Sequence, residues 1–196
     1  MALRTIRTWL WVAVAALALT AGAGALLLRQ QPAAGSFGVA DFDLVDHHGN
    51  PVDETVFAGH PSALFFGFTH CPEVCPTTMA EMAAWFEALG DEGKELRAYF
   101  VSIDPERDTP AMLGDYVSWV SDRITGITGT PEEIDKIAKA WGVYYKRVPL
   151  EGGDYTMDHT ASVFLLDASG AFQGTIAYRE DQATALGKLR NLLGKS

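Results

Sequence analysis

The sequence lacks a proline- and glycine-rich tract, a short repeat and a sustained heptad pattern, and these absences exclude fibrous and solenoid proteins. Positive charge is also scarce, since 15 lysines and arginines stand against 25 aspartates and glutamates, which gives a formal net charge of −10. So acidic a chain is a poor partner for phosphate backbones, and we expect no nucleic-acid binding. Hydrophobic residues make up 48% of the chain, which excludes a disordered polar protein and permits a sizeable core.

The N-terminal region predicts a membrane anchor. Residues 9–28 carry no charge, and at about 1.5 Å per residue such a helix spans roughly the 30 Å hydrocarbon core of a bilayer. Arg4 and Arg7 precede this segment and only Arg29 follows it, so the positive-inside rule places residues 1–8 in the cytoplasm. We therefore expect a single-pass protein of the inner (cytoplasmic) membrane, with its soluble domain in the periplasm.

A cleaved signal peptide is the alternative for the same segment. The small residues over 21–25 resemble a cleavage site, although secretory apolar cores usually run only about 7–15 residues. No cysteine lies near the segment, so a lipid-modified N-terminus is not indicated. Residues 29–36, which include Pro32 and Gly35, read as a linker to a domain that occupies residues 37–196.

Beyond the linker, segments of strand character alternate with segments of helix character. Strands are predicted at 63–68, 97–103, 144–148, 162–166 and 171–177, and a hairpin near 42–50. Helices are predicted to begin near Cys75, at Thr109-Pro110 and at Thr130-Pro131, with a last helix over 182–193. A strand, a cysteine-containing turn and a helix, followed by a late antiparallel pair, is thioredoxin-like order. We therefore predict an α/β, thioredoxin-like fold with an N-terminal transmembrane anchor.

Two of these helices have assignable inner faces. The helix that begins at Thr109 is expected to bury Met112, Leu113, Tyr116, Val117 and Val120. The helix that begins at Thr130 starts with a capping box and proline at its first position, and its apolar stripe is Ile134, Ile137, Ala138 and Trp141.

Both cysteines, Cys71 and Cys75, lie between a predicted buried strand and a predicted helix. A helix N-terminus has unpaired N–H groups and a partial positive charge, which stabilise a thiolate. A structural disulfide, a redox dithiol and a soft metal site are all compatible with such a pair. The usual redox spacing is Cys-x-x-Cys, one residue shorter, and two sulfurs alone leave a metal ion under-coordinated. The cysteines by themselves leave the three chemistries open.

A third metal ligand would come from one of five histidines. His47 and His48 fall in the predicted hairpin turn and His60 in a loop, where solvated or capping roles are the rule. His70 adjoins Cys71 but would point away if the two cysteines share a helix face. His159 immediately precedes an apolar strand, and in a thioredoxin layout the loop before that strand faces the cysteine turn.

Three motifs occur together and in order: Cys71-Pro72-Glu73-Val74-Cys75-Pro76, Asp104-Pro105-Glu106-Arg107-Asp108-Thr109-Pro110, and Asp158-His159-Thr160. With the N-terminal anchor, this combination closely resembles the Sco/SenC family of membrane-anchored copper proteins over about residues 37–193. The resemblance implies a thioredoxin-like fold that binds one Cu(I) or Cu(II) through the thiolates of Cys71 and Cys75 and the imidazole of His159.

The resemblance also implies a function. Family members help to assemble the copper centre of respiratory oxidases, chiefly the binuclear site of cytochrome c oxidase subunit II, or act on another copper-containing oxidase subunit. We expect a metallochaperone rather than an enzyme. A thiol–disulfide oxidoreductase that reduces the recipient's cysteines, with the Cys71–Cys75 disulfide bond as its oxidised form, is the alternative.

Several neighbours of this site have expected roles. Asp158 is either the acceptor for the second ring nitrogen of His159 or a loop cap. Gly152-Gly153 would give the loop freedom to move His159. Asp104 or Arg107 is expected to buttress the site or to meet the partner, and Met79 and Met157 are expected to serve packing. Asp108 and Thr109 are both candidates for a helix cap, and we assign that role to Thr109.

Overall fold

The computed structural model of the chain describes residues 37, 38 and 40–194. The predicted cytoplasmic terminus (1–8), transmembrane helix (9–28) and linker (29–36) lie outside the described residues and remain predictions. Within the described part, no helix combines the length and the apolar character that a membrane crossing needs.

The described chain forms a mixed α/β domain around a central sheet. The strands are β1 (Leu44–Asp46), β2 (Pro51–Val52), β3 (Ser62–Gly67), β4 (Arg97–Ser102), β5 (Ile124–Thr128), β6 (Tyr145–Pro149), β7 (Tyr155–His159), β8 (Val163–Leu166) and β9 (Phe172–Ile176). The helices are α1 (Val74–Leu89), α2 (Pro110–Ser118), α3 (Pro131–Ala140) and α4 (Gln182–Leu192), and short 3-10 turns cover Glu54–Phe57 and Gly90–Gly93.

Seven strands pair in the order β2-β1-β5-β4-β3-β8-β9, and β6 pairs with β7 in a separate two-stranded sheet. Strand β4 is parallel to both β3 and β5, while β8 runs antiparallel to β3 and β9 antiparallel to β8. Every residue of β3 is buried, and the apolar run that follows Ser62 is typical of an interior strand covered on both faces. The end of β3 at Gly67 delivers the chain to the cysteine turn.

Helix α3 matches its prediction except for the second half of the capping box, because the Glu133 carboxylate accepts from the Asp43 amide (2.9 Å) and not from Thr130. Thr130 caps it by accepting a hydrogen bond from the Glu133 amide (3.3 Å), and Pro131 occupies the first turn. The predicted stripe of Ile134, Ile137, Ala138 and Trp141 is fully buried.

Helix α2 corrects part of its prediction. Thr109 caps it, and Leu113 and Val117 are buried as expected, but the Met112 side chain is 41% exposed. Tyr116 and Val120 are partly buried and pack against the core, as expected, and the Tyr116 ring lies 5.3 Å from the ring of Phe100. Met112 and Trp119 lie instead on the exposed side of the segment.

Two strands were not predicted. Strand β5 is short and has Gly126 at its centre, which weakens the strand pattern. Residues 155–159 were expected to be a loop but form β7, which pairs antiparallel with β6. Since β7 is only partly buried, its sequence carries no continuous apolar run that would indicate a strand.

Candidate metal centre

The turn between β3 and α1 places both cysteines at the start of a helix, as predicted. Cys75 is fully buried in the first turn of α1, Cys71 is half-buried, and both are free thiols. The Sγ atom of Cys71 accepts a hydrogen bond from the backbone N–H of Cys75 at 3.3 Å. The side chain of Glu73, at the cap position, makes no capping hydrogen bond. The sulfur of Cys71 therefore satisfies an N–H group that a helix start leaves unpaired.

Gly67 allows Cys75 to lie against the end of β3. A Cβ atom at Gly67 would lie 2.8 Å from Sγ of Cys75 and 2.7 Å from Cε2 of Phe100, closer than van der Waals contact permits. The absence of a side chain at this position thus gives the buried sulfur its space.

His159 completes the group from the last position of β7, where it pairs with Tyr145 across the hairpin. Its Nε2 atom lies 3.5 Å from Sγ of Cys75, and its Nδ1 atom lies 2.9 Å from the carbonyl oxygen of Thr160. A carbonyl only accepts hydrogen bonds, so Nδ1 carries the proton in the neutral ring and Nε2 presents a lone pair to the sulfur. The acceptor for the second ring nitrogen is therefore the Thr160 backbone and not Asp158, which is exposed.

The three predicted ligand residues come together in the folded chain. One ligand atom from each of Cys71, Cys75 and His159 lies within 4.8 Å of the others. Among residues 37–38 and 40–194, this is the one group of three or more histidine, cysteine or acidic side chains that could hold a metal ion. Two sulfurs and one imidazole form a soft donor set.

The two thiols differ sharply in acidity. The hydrogen bond from the Cys75 side chain lowers the pKa of Cys71 to about 4, and contacts with His159 and with the Cys75 amide act in the same direction. The same hydrogen bond, together with burial, raises the pKa of Cys75 well above its usual range. The negative charge therefore resides on Cys71, the more accessible sulfur.

Asp108 fixes the start of the cysteine turn, a role that the sequence analysis missed. Its buried carboxylate accepts hydrogen bonds from the Thr69 amide (3.0 Å), the Thr69 hydroxyl (2.6 Å) and the Ser102 hydroxyl (2.6 Å). The capping role considered for Asp108 belongs to Thr109. In the sequence an acidic residue directly before a helix is typical of a cap, and nothing in the local pattern indicates the contact with Thr69, 39 residues away.

Asp104 and Arg107 buttress the strand that carries His159. Arg107 pairs with the buried carboxylate of Asp104 and donates to the carbonyl oxygen of Tyr155 at 2.9 Å. The Tyr155 hydroxyl donates to Asp104 at 2.8 Å, and the guanidinium of Arg107 lies 3.7 Å from the centre of the tyrosine ring. These contacts hold the first residue of β7, while His159 is the last.

Gly152 and Gly153 lie at the far end of the β6–β7 hairpin from His159, and the expected freedom of this loop to move His159 stays a prediction. Both glycines have positive φ values and lie in the tight turn between β6 and β7, closed by a 2.8 Å hydrogen bond from Leu150 N to Asp154 O. At about 3.3 Å per residue, the six residues from Gly153 to His159 extend about 20 Å. The glycines therefore shape the hairpin turn at the end opposite to His159.

The other histidines lie outside this group. His70 is exposed beside Thr69, His47 accepts from the Gly126 amide, and His60 contacts Ser62. Met79 and Met157 are buried in the hydrophobic core, in agreement with the packing role expected of them.

Comparisons with known proteins agree with this geometry. A family model described as SCO1/SenC matches residues 30–194. Protein sco1 of Schizosaccharomyces pombe is 36% identical over 153 residues, which cover 74% of this chain and 58% of that protein. The chain spans about half the length of the first curated relatives that it matches.

Solved structures show the same thioredoxin-like α/β fold. Bradyrhizobium japonicum ScoI, solved with copper bound, is 39% identical, with a TM-score of 0.73 over 80% of this chain and 99% of that one. Yeast Sco1, also solved with copper bound, is 32% identical, with a TM-score of 0.75 over 82% of this chain and 90% of that one. The chain belongs to the SCO1/SenC family.

Proposed function

We propose that this protein is a copper metallochaperone that binds one copper ion through Cys71, Cys75 and His159. It delivers the ion to the binuclear copper site of cytochrome c oxidase subunit II, or to another copper-containing respiratory oxidase subunit. The observation that carries the proposal is the convergence of two thiols and one imidazole within 4.8 Å. Two relatives that share the fold were solved with copper bound.

The chemistry of the donor set fits copper. Thiolates are preferred ligands of Cu(I), and imidazole suits copper in both oxidation states. The lone pair of His159 Nε2 is already directed at the sulfurs by the bond from Nδ1 to Thr160. The first N–H groups of α1 offset the negative charge of the two thiolates. Deprotonation of Cys75 is the remaining step, because its thiol is held neutral until a cation enters.

The different exposure of Cys71 and Cys75 sets the order in which the copper ligands are exchanged. The recipient approaches the half-buried Cys71 first, since Cys75 is fully enclosed. Exchange of one ligand at a time lets an incoming thiolate replace Cys71 while Cys75 and His159 still hold the ion. The protein acts here as a carrier rather than as an enzyme.

A thiol–disulfide oxidoreductase is a second proposed function, and the split acidity of the two thiols favours it. A thiolate on the accessible Cys71 is a nucleophile towards a disulfide of the recipient. Attack by this thiolate would give a mixed disulfide, which Cys75 would resolve as the internal bond forms and the recipient's two cysteines become reduced. The two functions use the same pair of sulfurs.

We further propose that the chain is anchored in the inner membrane by residues 9–28, with the metal site in the periplasm. The charge-free segment and the arginines before it support this placement. Protease accessibility in spheroplasts tests it, because a periplasmic domain is digested while the outer face is exposed and the membrane is intact. Protection of the domain would contradict the placement.

Anaerobic titration of the reduced full-length chain with Cu(I) and Cu(II) tests the copper site. We expect one copper per chain, with thiolate-to-copper absorption for Cu(II). His159→Ala should weaken copper binding at least tenfold and leave thiol exchange intact, whereas His70→Ala, beside Cys71 but outside the group, should bind like the wild type. Equal binding by His159→Ala and the wild type would refute the three-ligand site.

The oxidoreductase function is tested with an oxidised, copper-free domain of the oxidase subunit. Under that function the reduced chain reduces the recipient's disulfide without copper, and Cys71→Ser abolishes the reaction. If recipient thiols do not appear in the absence of copper, the chain acts as a carrier only.

A further inference from the structure

An open groove of about 530 Å³ runs along the outer face of α2. Met112 and Trp119 contribute its apolar wall, and their side chains are 41% and 90% exposed. Tyr116 also lines the groove. An almost completely exposed tryptophan is unusual on a free surface, and tryptophan is enriched among the residues that dominate binding interfaces.

The groove borders the metal site. Its other side is formed by Thr69 and Pro76, which lie two residues before Cys71 and one residue after Cys75. Thr69 is held by Asp108, and Pro76 lies in the first turn of α1, so this side is structurally fixed. A segment bound in the groove would therefore lie beside the half-buried sulfur of Cys71.

The negative charge of Asp115 favours a basic segment over a second copy of the chain as the occupant of the groove. Asp115 is exposed in the groove, and no salt bridge among residues 37–38 and 40–194 includes it. A second copy of the chain would bring a net charge of −10 towards this carboxylate, which opposes self-association. A segment with a basic residue opposite Asp115 would be attracted.

We propose that the groove binds an apolar segment of the copper-receiving protein, with a lysine or arginine of that segment facing Asp115. This inference rests on the proposed copper transfer, because a recipient has to approach Cys71 for ligands to be exchanged. The groove provides the contact area that the metal site, with its mostly enclosed ligands, lacks. Trp119 is the anchor of the contact.

Copper transfer from the loaded full-length chain to the copper-free soluble domain of cytochrome c oxidase subunit II tests the proposal. Trp119→Ala should retain one copper per chain with unchanged affinity, and its second-order transfer rate should fall about tenfold or more. Leu150→Ala is the matched control, since Leu150 is also an exposed apolar residue (49%) but lies outside the groove. An unchanged rate for Trp119→Ala would overturn the groove while leaving the copper-carrier function intact.

Two charge-reversal variants test the proposed pairing of a basic residue with Asp115. Asp115→Lys should slow transfer and weaken its dependence on salt, whereas Glu87→Lys should do so much less. Glu87 is exposed on α1, eleven residues beyond Pro76 and thus about 16 Å along the helix. Equal effects of the two charge reversals would refute the proposed pairing with Asp115.

Direct contact is measured by fluorine NMR of the full-length chain labelled with 5-fluorotryptophan. The resonance that is lost in Trp119→Phe identifies the reporter, which should shift when the unlabelled oxidase domain is added. Transfer without this shift would overturn the docking site. A shift on concentrating the chain alone would assign the groove to a second copy and equally overturn it. Absence of both copper uptake and transfer in the wild type would instead refute the proposed function on which the inference rests.

Discussion

The Nε2 atom of His159 lies 3.5 Å from the Sγ atom of Cys75, although 84 residues separate them in sequence. The cysteine is carried by the helix that follows the central strand β3, and the histidine by a hairpin outside the main sheet. The candidate metal centre therefore depends on two elements held in place by different contacts. Each of the following predictions tests one of those contacts or the chemistry that they produce.

Selective alkylation tests the acidity of the two thiols. Because the pKa of Cys71 is lowered from 9.0 to about 4, its thiolate persists at pH 6, where an ordinary cysteine is protonated. We expect iodoacetamide at pH 6 to modify Cys71 in the folded, reduced, metal-free chain and to spare Cys75. In Cys71→Ser no iodoacetamide reaction should occur at pH 6. In the wild type unfolded by urea, the thiols should react only as the pH approaches 9. Equal modification of both folded thiols at pH 6 would contradict the assignment.

Gly67→Ala tests the space that the buried sulfur needs. The added methyl group would lie 2.7 Å from Phe100 and 2.8 Å from the Cys75 sulfur, so the surrounding core has to shift. We expect a loss of about 1–3 kcal/mol in the free energy of unfolding, with weaker copper binding as Cys75 is displaced. The matched control is Gly187→Ala in α4, where a Cβ would meet nothing within 4 Å. That variant should be neutral or stabilised by up to about 1 kcal/mol, and equal stability of the two alanine variants would show that Gly67 is not tightly packed.

Asp108→Asn tests the anchor of the cysteine turn. One carboxylate oxygen becomes an amide nitrogen, which cannot accept from Thr69 or Ser102, so a buried donor loses its partner. Urea titration should show a loss of about 1–3 kcal/mol in unfolding free energy. Asp122→Asn, at an exposed position just before β5, should change it by less than about 0.5 kcal/mol. If the two variants are equally stable, the hydrogen bonds of Asp108 contribute little.

Tyr155→Phe tests the buttress of β7. The substitution keeps the ring beneath the Arg107 guanidinium and removes only the hydrogen bond to the buried Asp104 carboxylate. We expect a loss of about 1–3 kcal/mol, because the acceptor is charged, and faster amide exchange along β7. Tyr144→Phe, at a 58% exposed tyrosine, is the control and should leave both quantities unchanged. Unaltered exchange in β7 of Tyr155→Phe would contradict the buttress.

The residue types alone singled out the two cysteines at a strand-to-helix junction and left a disulfide, a redox dithiol and a metal site open. The grouping of His159 with them came from the resemblance to the Sco/SenC family, which rests on three motifs that occur together, and the fold brings the three side chains within 4.8 Å. The buried strand β3 and the capped helix α3 were equally predictable, since their apolar patterns and the Thr130-Pro131 start are local signals.

What escaped prediction depends on tertiary context. The partner of His159 Nδ1 is a backbone carbonyl, a group that every residue carries and that no sequence pattern marks. The contacts of Asp108 were not predicted, because its partners Thr69 and Ser102 lie on other elements and no local pattern links them to it. Met112 was predicted to be buried, because helical spacing alone does not show how much of the helix surface the sheet covers. Strand β7 was taken for a loop because only its pairing with β6, and not an apolar run, defines it.

The hydrogen bond from the Cys75 amide to the Cys71 sulfur has a consequence for detection. In the proposed function, the Cys71 sulfur at which this main-chain proton is directed would bind copper, release it or form a disulfide. The resonance frequency of this proton should therefore differ among these states, and one peak in a nitrogen–proton correlation spectrum of the ¹⁵N-labelled chain would report on occupancy without a chemical tag.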